Sequence, residues 1–290
     1  MNDIIIGSHV SFLKDSELFG SVMESVSYGS NTFMIYTGSN QSAERREINR
    51  DLTLKGWETM KENNIDINNV IVHAPFIVNL ANNKDERKYN FYISFMKNEI
   101  NRCKTLGIHK MVFHPGSRTD LDKETALNNI VFGLNSIMKD VKDFDLLIEF
   151  MSGKGTEVGS SIEDLKYIMD NIDVDNVGIC LDTCHINDAG YDINKFDEFL
   201  NLFDKSIGIN KIKCVHINDS LNKIGSHKDR HANIGYGTIG FEAIINVIYN
   251  ERLKGIPFIL ETPYVNDKAP YKYEIDNIRN KKFIDYKPNL

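Results

Sequence analysis

The stretch VGICLDTCH, residues 177–185, is a run of apolar residues that ends in Asp182 and His185. Seven similar runs occur along the chain, and successive runs begin roughly 27 to 46 residues apart, the length of a strand, a helix and two loops. The intervening segments carry apolar residues at three- and four-residue spacing, which is typical of amphipathic helices. The pattern predicts eight parallel βα units, an α/β fold of the TIM (β/α)8 barrel type. The other runs span residues 4–9, 31–36, 70–75, 110–115, 145–151, 211–219 and 257–263.

The composition is that of a globular protein. Of 290 residues, 41% are hydrophobic and 26% charged, and no low-complexity linker divides the chain, so we expect one domain over residues 1–290. No apolar run is long enough to span a bilayer, and the N-terminus lacks an export signal, which favours a cytoplasmic protein without membrane partners. The four cysteines have no paired C-x-x-C spacing, so we expect reduced core thiols rather than zinc ligands.

Polar side chains follow the apolar part of seven of the eight runs. The carboxyl ends of barrel strands converge on one mouth, where active sites of TIM barrels are assembled. Histidines scattered over a helical surface would not show this placement. The pattern therefore predicts that these side chains lie close together. They are His9, His73, His114, Glu149, Asp182, His216 and Glu261.

Imidazole and carboxylate groups without thiolates suit zinc or manganese in a hydrolytic site. Nine residues are candidate ligands, too many for one ion but enough for three if a carboxylate bridges two of them. Clustered divalent ions favour phosphoryl chemistry on a phosphate ester. Three divalent ions would add +6 to the formal charge of −7 and leave about −1, so the acidic composition does not exclude DNA as a substrate. The candidates are His73, His114, Glu149, Asp182, His185, His216, Asp229, His231 and Glu261.

Three longer stretches, HAPFIVNLA (73–81), GICLDTCH (178–185) and HINDSLNKIGSHKDRH (216–231), resemble the signatures of the endonuclease IV family, the zinc-dependent apurinic/apyrimidinic endonucleases. Shorter stretches agree as well, and the resemblance runs from residue 7 to about residue 280. It implies a TIM barrel with three zinc ions at its mouth, manganese being an alternative at one site. His73, His114 and Glu149 match the ligands of the first ion; Glu149, Asp182, His216 and Glu261 those of the second; and His185, Asp229 and His231 those of the third.

The resemblance further implies a DNA repair reaction. The phosphodiester 5′ to an abasic site is hydrolysed to a 3′-hydroxyl and a 5′-deoxyribose phosphate, and blocking groups are removed from 3′ ends. Glu149 and Glu261 are then the catalytic residues, with Glu149 holding the paired ions and Glu261 orienting or deprotonating the attacking water. The partner is double-stranded DNA with abasic sites or blocked 3′ ends, and we expect a monomer.

DNA recognition in this family uses loops at the barrel mouth that bend the duplex and flip out the abasic nucleotide. The resemblance points to a wedge at Phe76, Ile77 and Asn79 and to a probing loop at Asn40 and Gln41. Basic residues near the mouth are candidates for phosphate contacts. They are Arg45, Arg46, Lys154, Lys228 and Arg230.

Two positions depart from the family pattern. Phe76 stands where the first signature usually has tyrosine, and Leu221 stands where the third usually has lysine. Neither is a candidate ligand, so we expect altered affinity or preference rather than lost chemistry. We further expect Asp219 to support its loop and His227 to be a loop residue, whereas His9 is open between lining the pocket and packing.

Two other functions compete with this interpretation. A metal-dependent sugar isomerase or epimerase of the xylose-isomerase-like barrel class would use similar residues at the same strand ends. Such an enzyme has no need of a third site built from Asp229 and His231, however. A non-catalytic DNA-damage binder is disfavoured because the chain contains all nine candidate ligands.

Overall fold

A computed structural model describes residues 4–290 and confirms the closed α/β barrel. Eight parallel strands close in the spatial order β1-β10-β7-β6-β5-β4-β3-β2. They are β1 (Ile6–His9), β2 (Thr32–Ile35), β3 (Ile71–His73), β4 (Lys110–Phe113), β5 (Asp145–Glu149), β6 (Val177–Asp182), β7 (Ile212–Ile217) and β10 (Phe258–Leu260). Each lies inside one predicted run; the rest of the run is mostly loop, except that residues 183–185 begin the helix that directly follows β6.

A small antiparallel sheet that the sequence pattern did not predict lies in the long connection after β7. It pairs β8 (Asp219–Ser220) with β9 (His231–Ala232). Each of its strands has only two residues, too short for alternation of polar and apolar residues to be visible. The sheet positions the third family-like stretch, because it brings residue 231 back to the end of β7.

Helices alternate with the barrel strands and pack against their outer face. Several begin at a side chain that accepts a backbone N–H of the first turn, as Asp122 and Ser161 do. The helices are α1 (Glu17–Ser27), α2 (Arg50–Glu62), α3 (Glu86–Thr105), α4 (Lys123–Met138), α5 (Ile162–Asn171), α6 (Thr183–Ala189), α7 (Phe196–Ser206), α8 (Phe241–Ile248) and α9 (Tyr271–Asn280). Short 3-10 turns occupy Ile67–Asn69, Ile193–Lys195, Ile209–Lys211, Glu251–Leu253 and Lys287–Asn289.

The apolar core has two parts. The larger part lies between the barrel and the helices, and the smaller part fills the barrel interior with one side chain from each of seven strands. This inner layer separates the mouth from the opposite end of the barrel. Its members are Met34, Ile71, Val112, Leu147, Cys180, Cys214 and Ile259.

The C-terminal segment after α9 is packed against the rest of the protein. Tyr286 is buried, and its hydroxyl donates to Glu274 Oε1 at 2.6 Å. Thr262 donates to the other oxygen of Glu274 at 2.5 Å, so the last turn is connected to the loop after β10. Charged residues around Tyr286 hid this anchor in the sequence.

Candidate metal centre

The nine candidate ligands meet at the carboxyl end of the barrel. Six of them end or follow a barrel strand, so the parallel topology alone brings them to one rim. The other three come from the segments beyond β6 and β7: His185 from α6, Asp229 from the loop before β9, and His231 from β9. The side chains form overlapping groups whose ligand atoms lie within 4.8 Å of one another.

Glu149 lies at the middle of these groups. Its Oε2 is 3.1 Å from His73 Nε2 and 3.0 Å from His114 Nε2. Its Oε1 faces the other way, 3.1 Å from His216 Nδ1. The two oxygens of one carboxylate therefore face two separate ligand groups, which is the geometry of a bridging ligand.

The second group extends from Glu149 toward β6, β7 and β10. His216 Nδ1 lies 3.1 Å from Glu261 Oε2 and 4.0 Å from Asp182 Oδ2. Asn218, which the sequence interpretation passed over, donates to Asp182 Oδ2 at 2.7 Å and holds that carboxylate in place.

The third group joins α6 to the segment before β9. His185 Nε2 lies 3.1 Å from Asp229 Oδ1, and His231 Nε2 lies 3.5 Å from the same oxygen. Asp182 Oδ2 is also near, 3.7 Å from His231 Nε2. Asp182 was expected in the second group alone, but it reaches both because β6 runs directly into α6.

Asp188 orders this third group without contacting a candidate ligand side chain. Its carboxylate is buried and accepts the backbone N–H of Asp229 at 3.0 Å and the Ser220 hydroxyl at 2.7 Å. Asp229 has a φ of 53°, a left-handed conformation that is costly without such a bond. Asp188 was missed because an acid on a short helix is usually exposed.

His73 and His185 each have one ring nitrogen fixed by a backbone carbonyl. His73 Nδ1 lies 2.7 Å from Ala74 O, and His185 Nδ1 lies 2.9 Å from Phe150 O. An Nδ1–H that donates to a carbonyl leaves Nε2 with a free lone pair, the form in which histidine binds metal. Both Nε2 atoms face the carboxylates of the mouth.

The electrostatics of the mouth favour bound cations. Burial alone would lower the pKa values of His114, His185 and His216. Neighbouring carboxylates raise the pKa values of His114 and His185, and Cys180, Glu261 and Glu149 raise that of His216. Burial would likewise raise the pKa of Glu149, yet His216 and His114 hold it well below its usual range. The field of the buried carboxylates thus attracts positive charge, which protons or metal ions can supply.

The donor set fits divalent metal ions. Within the described chain, His231 Nε2 is buried without a hydrogen-bond partner, although two carboxylates lie nearby. Two ligand atoms at about 2.1 Å from a tetrahedral ion are about 3.4 Å apart, and the nitrogen-to-oxygen distances of 3.0 to 3.7 Å in the first and third groups bracket that value. A set of imidazoles and carboxylates suits zinc or manganese.

His9 and Tyr36 form the wall of the mouth beside the first group. Their rings lie 4.8 Å apart, and Tyr36 also lies 5.3 Å from the ring of His73. Burial lowers the pKa of His9 to about 4, so the imidazole is neutral near pH 7. His9 thus lines the pocket, one of its two expected roles. Tyr36 was missed because an aromatic residue after an apolar run reads as core.

The expected DNA contacts occupy different environments. Phe76 is 53% exposed, and its ring lies 5.1 Å from that of His114, so it projects beside the first group. Gln41 and Arg230 are exposed, and Asn40 is half-buried with its carbonyl bonded to the Phe76 N–H. These four residues lie where a substrate at the mouth could reach them.

Three residues of the expected DNA surface make contacts within the protein itself. Ile77 is half-buried against the core. The Asn79 amide donates to Ser117 O at 2.9 Å and accepts the N–H groups of Ser117 and Ala81, each at 3.1 Å. Arg45 pairs with buried Glu99 at 2.7 Å. Through these bonds the polar atoms of Asn79 and Arg45 hold neighbouring segments of the chain together.

The long loop after β7 is supported as expected. The buried Asp219 carboxylate accepts backbone N–H groups from several residues that follow β9. His227 is an exposed loop residue whose Nδ1 lies 2.9 Å from Ser152 O. Leu221 is 62% exposed and contacts no candidate ligand through a hydrogen bond.

Within residues 4–290, no helix is long and apolar enough to cross a membrane.

The closed parallel barrel and its ligand-rich mouth define an enzyme of the xylose isomerase-like TIM barrel class, and the model of that family matches residues 23–281. Solved structures of sugar-epimerase type share the fold; a D-tagatose 3-epimerase-like protein superposes with a TM-score of 0.70 at 24% identity, covering 95% of this chain and 96% of the other. That similarity shows the fold alone.

The sequence relatives are more specific. A probable endonuclease 4 from Mycoplasma capricolum is 46% identical over 98% of this chain and 99% of its own length. One from Enterococcus faecalis is 45% identical over 97% and 96%. Endonuclease IV from Thermus thermophilus superposes with a TM-score of 0.81 at 27% identity, covering 95% of this chain and 97% of its own. The chain belongs to the endonuclease IV family and is an endonuclease.

Proposed function

We propose that this protein is a zinc-dependent DNA repair endonuclease of base excision repair. It hydrolyses the phosphodiester 5′ to an abasic site, leaving a 3′-hydroxyl and a 5′-deoxyribose phosphate, and it removes phosphate and phosphodiester blocks from 3′ ends. The observation that carries the proposal is the meeting of nine imidazole and carboxylate ligands at one mouth, with Glu149 between two groups. Membership in the endonuclease IV family supports it.

The ligands are assigned to three zinc ions. His73 and His114 would hold the first, and Glu149 would be shared between the first and the second; Asp182, His216 and Glu261 would complete the second; and His185, Asp229 and His231 would hold the third. Manganese is an alternative in one site. When bound, these ions supply a water of lowered pKa and positive charge that neutralises the phosphate oxygens.

Two carboxylates of the mouth orient the attacking water and the ion sites. Glu261 is the least buried carboxylate of the second group, with 18% of its side chain exposed, so it can contact both His216 and an incoming water. We assign it to orient and deprotonate that water. Glu149, whose side chain is 1% exposed, fixes the spacing of the first two ion sites.

The exposed residues of the mouth recognise the DNA. Phe76 is placed to stack against a base pair or fill the gap beside the flipped nucleotide. Asn40 and Gln41 probe the duplex, Ile77 and Asn79 hold the loop that carries Phe76, and Arg230 contacts phosphate. We further propose a cytoplasmic enzyme that acts as a monomer.

Cleavage of a duplex with one tetrahydrofuran abasic analogue tests this function. The zinc-loaded protein should cut the strand 5′ to the analogue, and a primer with a 3′-phosphate should become extendable. Plasma mass spectrometry should find close to three zinc ions per chain. Intact strands, or sugar interconversion in place of cleavage, would reject the nuclease and favour the isomerase.

The variant Glu261→Gln should bind zinc at the first and third sites and keep the circular dichroism of the wild type, but lose cleavage. Glu58→Gln is the matched control, because Glu58 is an exposed residue on α2, outside the mouth. Wild-type cleavage by Glu261→Gln would remove Glu261 from the reaction.

A further inference from the structure

Two cysteines lie in the barrel interior directly below the candidate metal centre. Cys180 on β6 and Cys214 on β7 are register partners, and both are completely buried in the inner layer. Asp182 and His216, two residues further along the same strands, are also register partners. Because residues two apart on a strand share a face, the cysteine pair forms the layer immediately beneath that of His216.

His216 connects the two layers. Its Nδ1 faces the mouth, 3.1 Å from both Glu149 Oε1 and Glu261 Oε2. Its Nε2 is buried and has no hydrogen-bond partner among residues 4–290. A metal-binding histidine usually donates its second ring N–H to a carboxylate or a carbonyl, and here that partner is missing.

The sulfur atoms of the two cysteines are close enough to this ring to form a ligand set. Ligand atoms of Cys180, Cys214 and His216 all lie within 4.8 Å of one another. In a tetrahedral site with metal–sulfur bonds of about 2.3 Å, sulfur atoms lie about 3.8 Å apart, so shifts of about 1 Å or less would close the set around an ion. The Cys180 thiol also lies 3.5 Å from Leu181 O, a weak hydrogen-bond contact.

We propose that Cys180, Cys214 and His216 form a separate binding site for a thiophilic d10 cation beneath the mouth. Two sulfurs and one imidazole are a soft set that selects ions such as Cu⁺, Zn²⁺ or the heavier Cd²⁺. The groups of the mouth assigned above contain only imidazole and carboxylate, which are harder ligands. The two layers therefore select different ions.

The shared histidine couples this site to the centre above it. An ion on Nε2 must either share the ring with an ion on Nδ1, in which case the ring releases its N–H proton to solvent and bridges the two ions as imidazolate, or pull the ring away from Glu149 and Glu261. Thiophilic ions should thus weaken metal binding at the candidate metal centre through His216, without competing for its carboxylates. The inhibition rests on the proposed nuclease function, whereas the binding does not.

Titration of the zinc-loaded protein with Cd²⁺, without DNA, tests the binding. We expect the ultraviolet thiolate-to-cadmium charge-transfer band to saturate at one ion per chain. The double variant Cys180→Ser/Cys214→Ser should lack this band, and each single variant should bind Cd²⁺ at least about a hundredfold more weakly. Absence of the band in the wild type, or its persistence in the double variant, would overturn the proposal.

Two further cysteines provide controls. Cys103→Ser alters a buried thiol on α3 outside the barrel interior, and Cys184→Ser alters the thiol that lies near Asp229 and His231. Both variants should keep the band, and its loss in Cys184→Ser would assign the cadmium to the mouth instead. Cadmium-113 NMR of the wild type reports the number of sulfur ligands without any variant, and a shift that excludes two sulfurs would also refute the site.

Discussion

The substitution Asp219→Asn should release the loop that follows β9. Asp219 Oδ1 accepts the N–H groups of Ser220 at 2.8 Å and Ile239 at 3.0 Å, and Oδ2 accepts those of Gly235 at 3.1 Å and Gly237 at 3.0 Å. The amide of asparagine retains one acceptor oxygen and turns an NH2 group toward the other pair of donors. Two buried N–H groups then lose their acceptor at about 1–3 kcal/mol each, or about 4 kcal/mol in total.

Hydrogen exchange measures the opening free energy at the individual amides of the loop after β9. A change of about 4 kcal/mol in the opening free energy corresponds to roughly thousandfold faster exchange of the loop amides. Amides of α3 should be unaffected, and Asp140→Asn, at an exposed position after α4, should leave every amide unchanged. If the amides of Gly235, Gly237 and Ile239 exchange within about tenfold of the wild type, the carboxylate does not hold this loop.

Three other outcomes are expected. The pKa of His9 is lowered to about 4 in the folded state against 6.5 in the unfolded state, so the free energy of unfolding should fall by about 3 kcal/mol as the pH falls between these values. In urea unfolding, the stability of His9→Gln should depend less on pH by that amount. An equal pH dependence in the variant and the wild type would contradict this. Phe76→Ala should weaken binding of abasic duplex about tenfold or more in a fluorescence titration while changing stability by about 0.5 kcal/mol, since the ring is exposed; unchanged affinity would exclude stacking. Removal of the metal ions by a chelator should lower Tm by about 10 °C in calorimetry, because the carboxylates of the mouth then repel one another; an unchanged Tm would show that the groups hold no tightly bound ion.

The barrel was predictable because its strands repeat one physical pattern. Most residues of each strand are buried on both faces, so the strand appears as an apolar run, and the polar residue at the end of that run marks the end of the strand that faces the mouth. This rule placed His73, Glu149 and Asp182 at the ends of β3, β5 and β6, and it also placed His114 and Glu261, which directly follow their strands. The topology then brings these side chains together without information on loop geometry.

The parts that escaped prediction depend on contacts between distant segments. Tyr36 belongs to the mouth, but nothing in its local sequence separates it from a core aromatic residue. Asp188 and Asn218 act by hydrogen bonds to a loop and to another strand, and Asn79 braces the neighbouring loop at Ser117. Periodicity reports which face of an element is buried, and it carries no record of which long-range partner a polar group will have.

Asp182 is subject to two requirements at one position. Its Oδ1 accepts the His185 N–H at 2.9 Å and starts α6, while its Oδ2 faces His216 and His231. Asparagine would preserve the helix start but withdraw the negative charge, and glutamate would keep the charge but place it one methylene too far out to start the helix. No single substitution of Asp182 should therefore be neutral, because each replacement meets at most one of the two requirements.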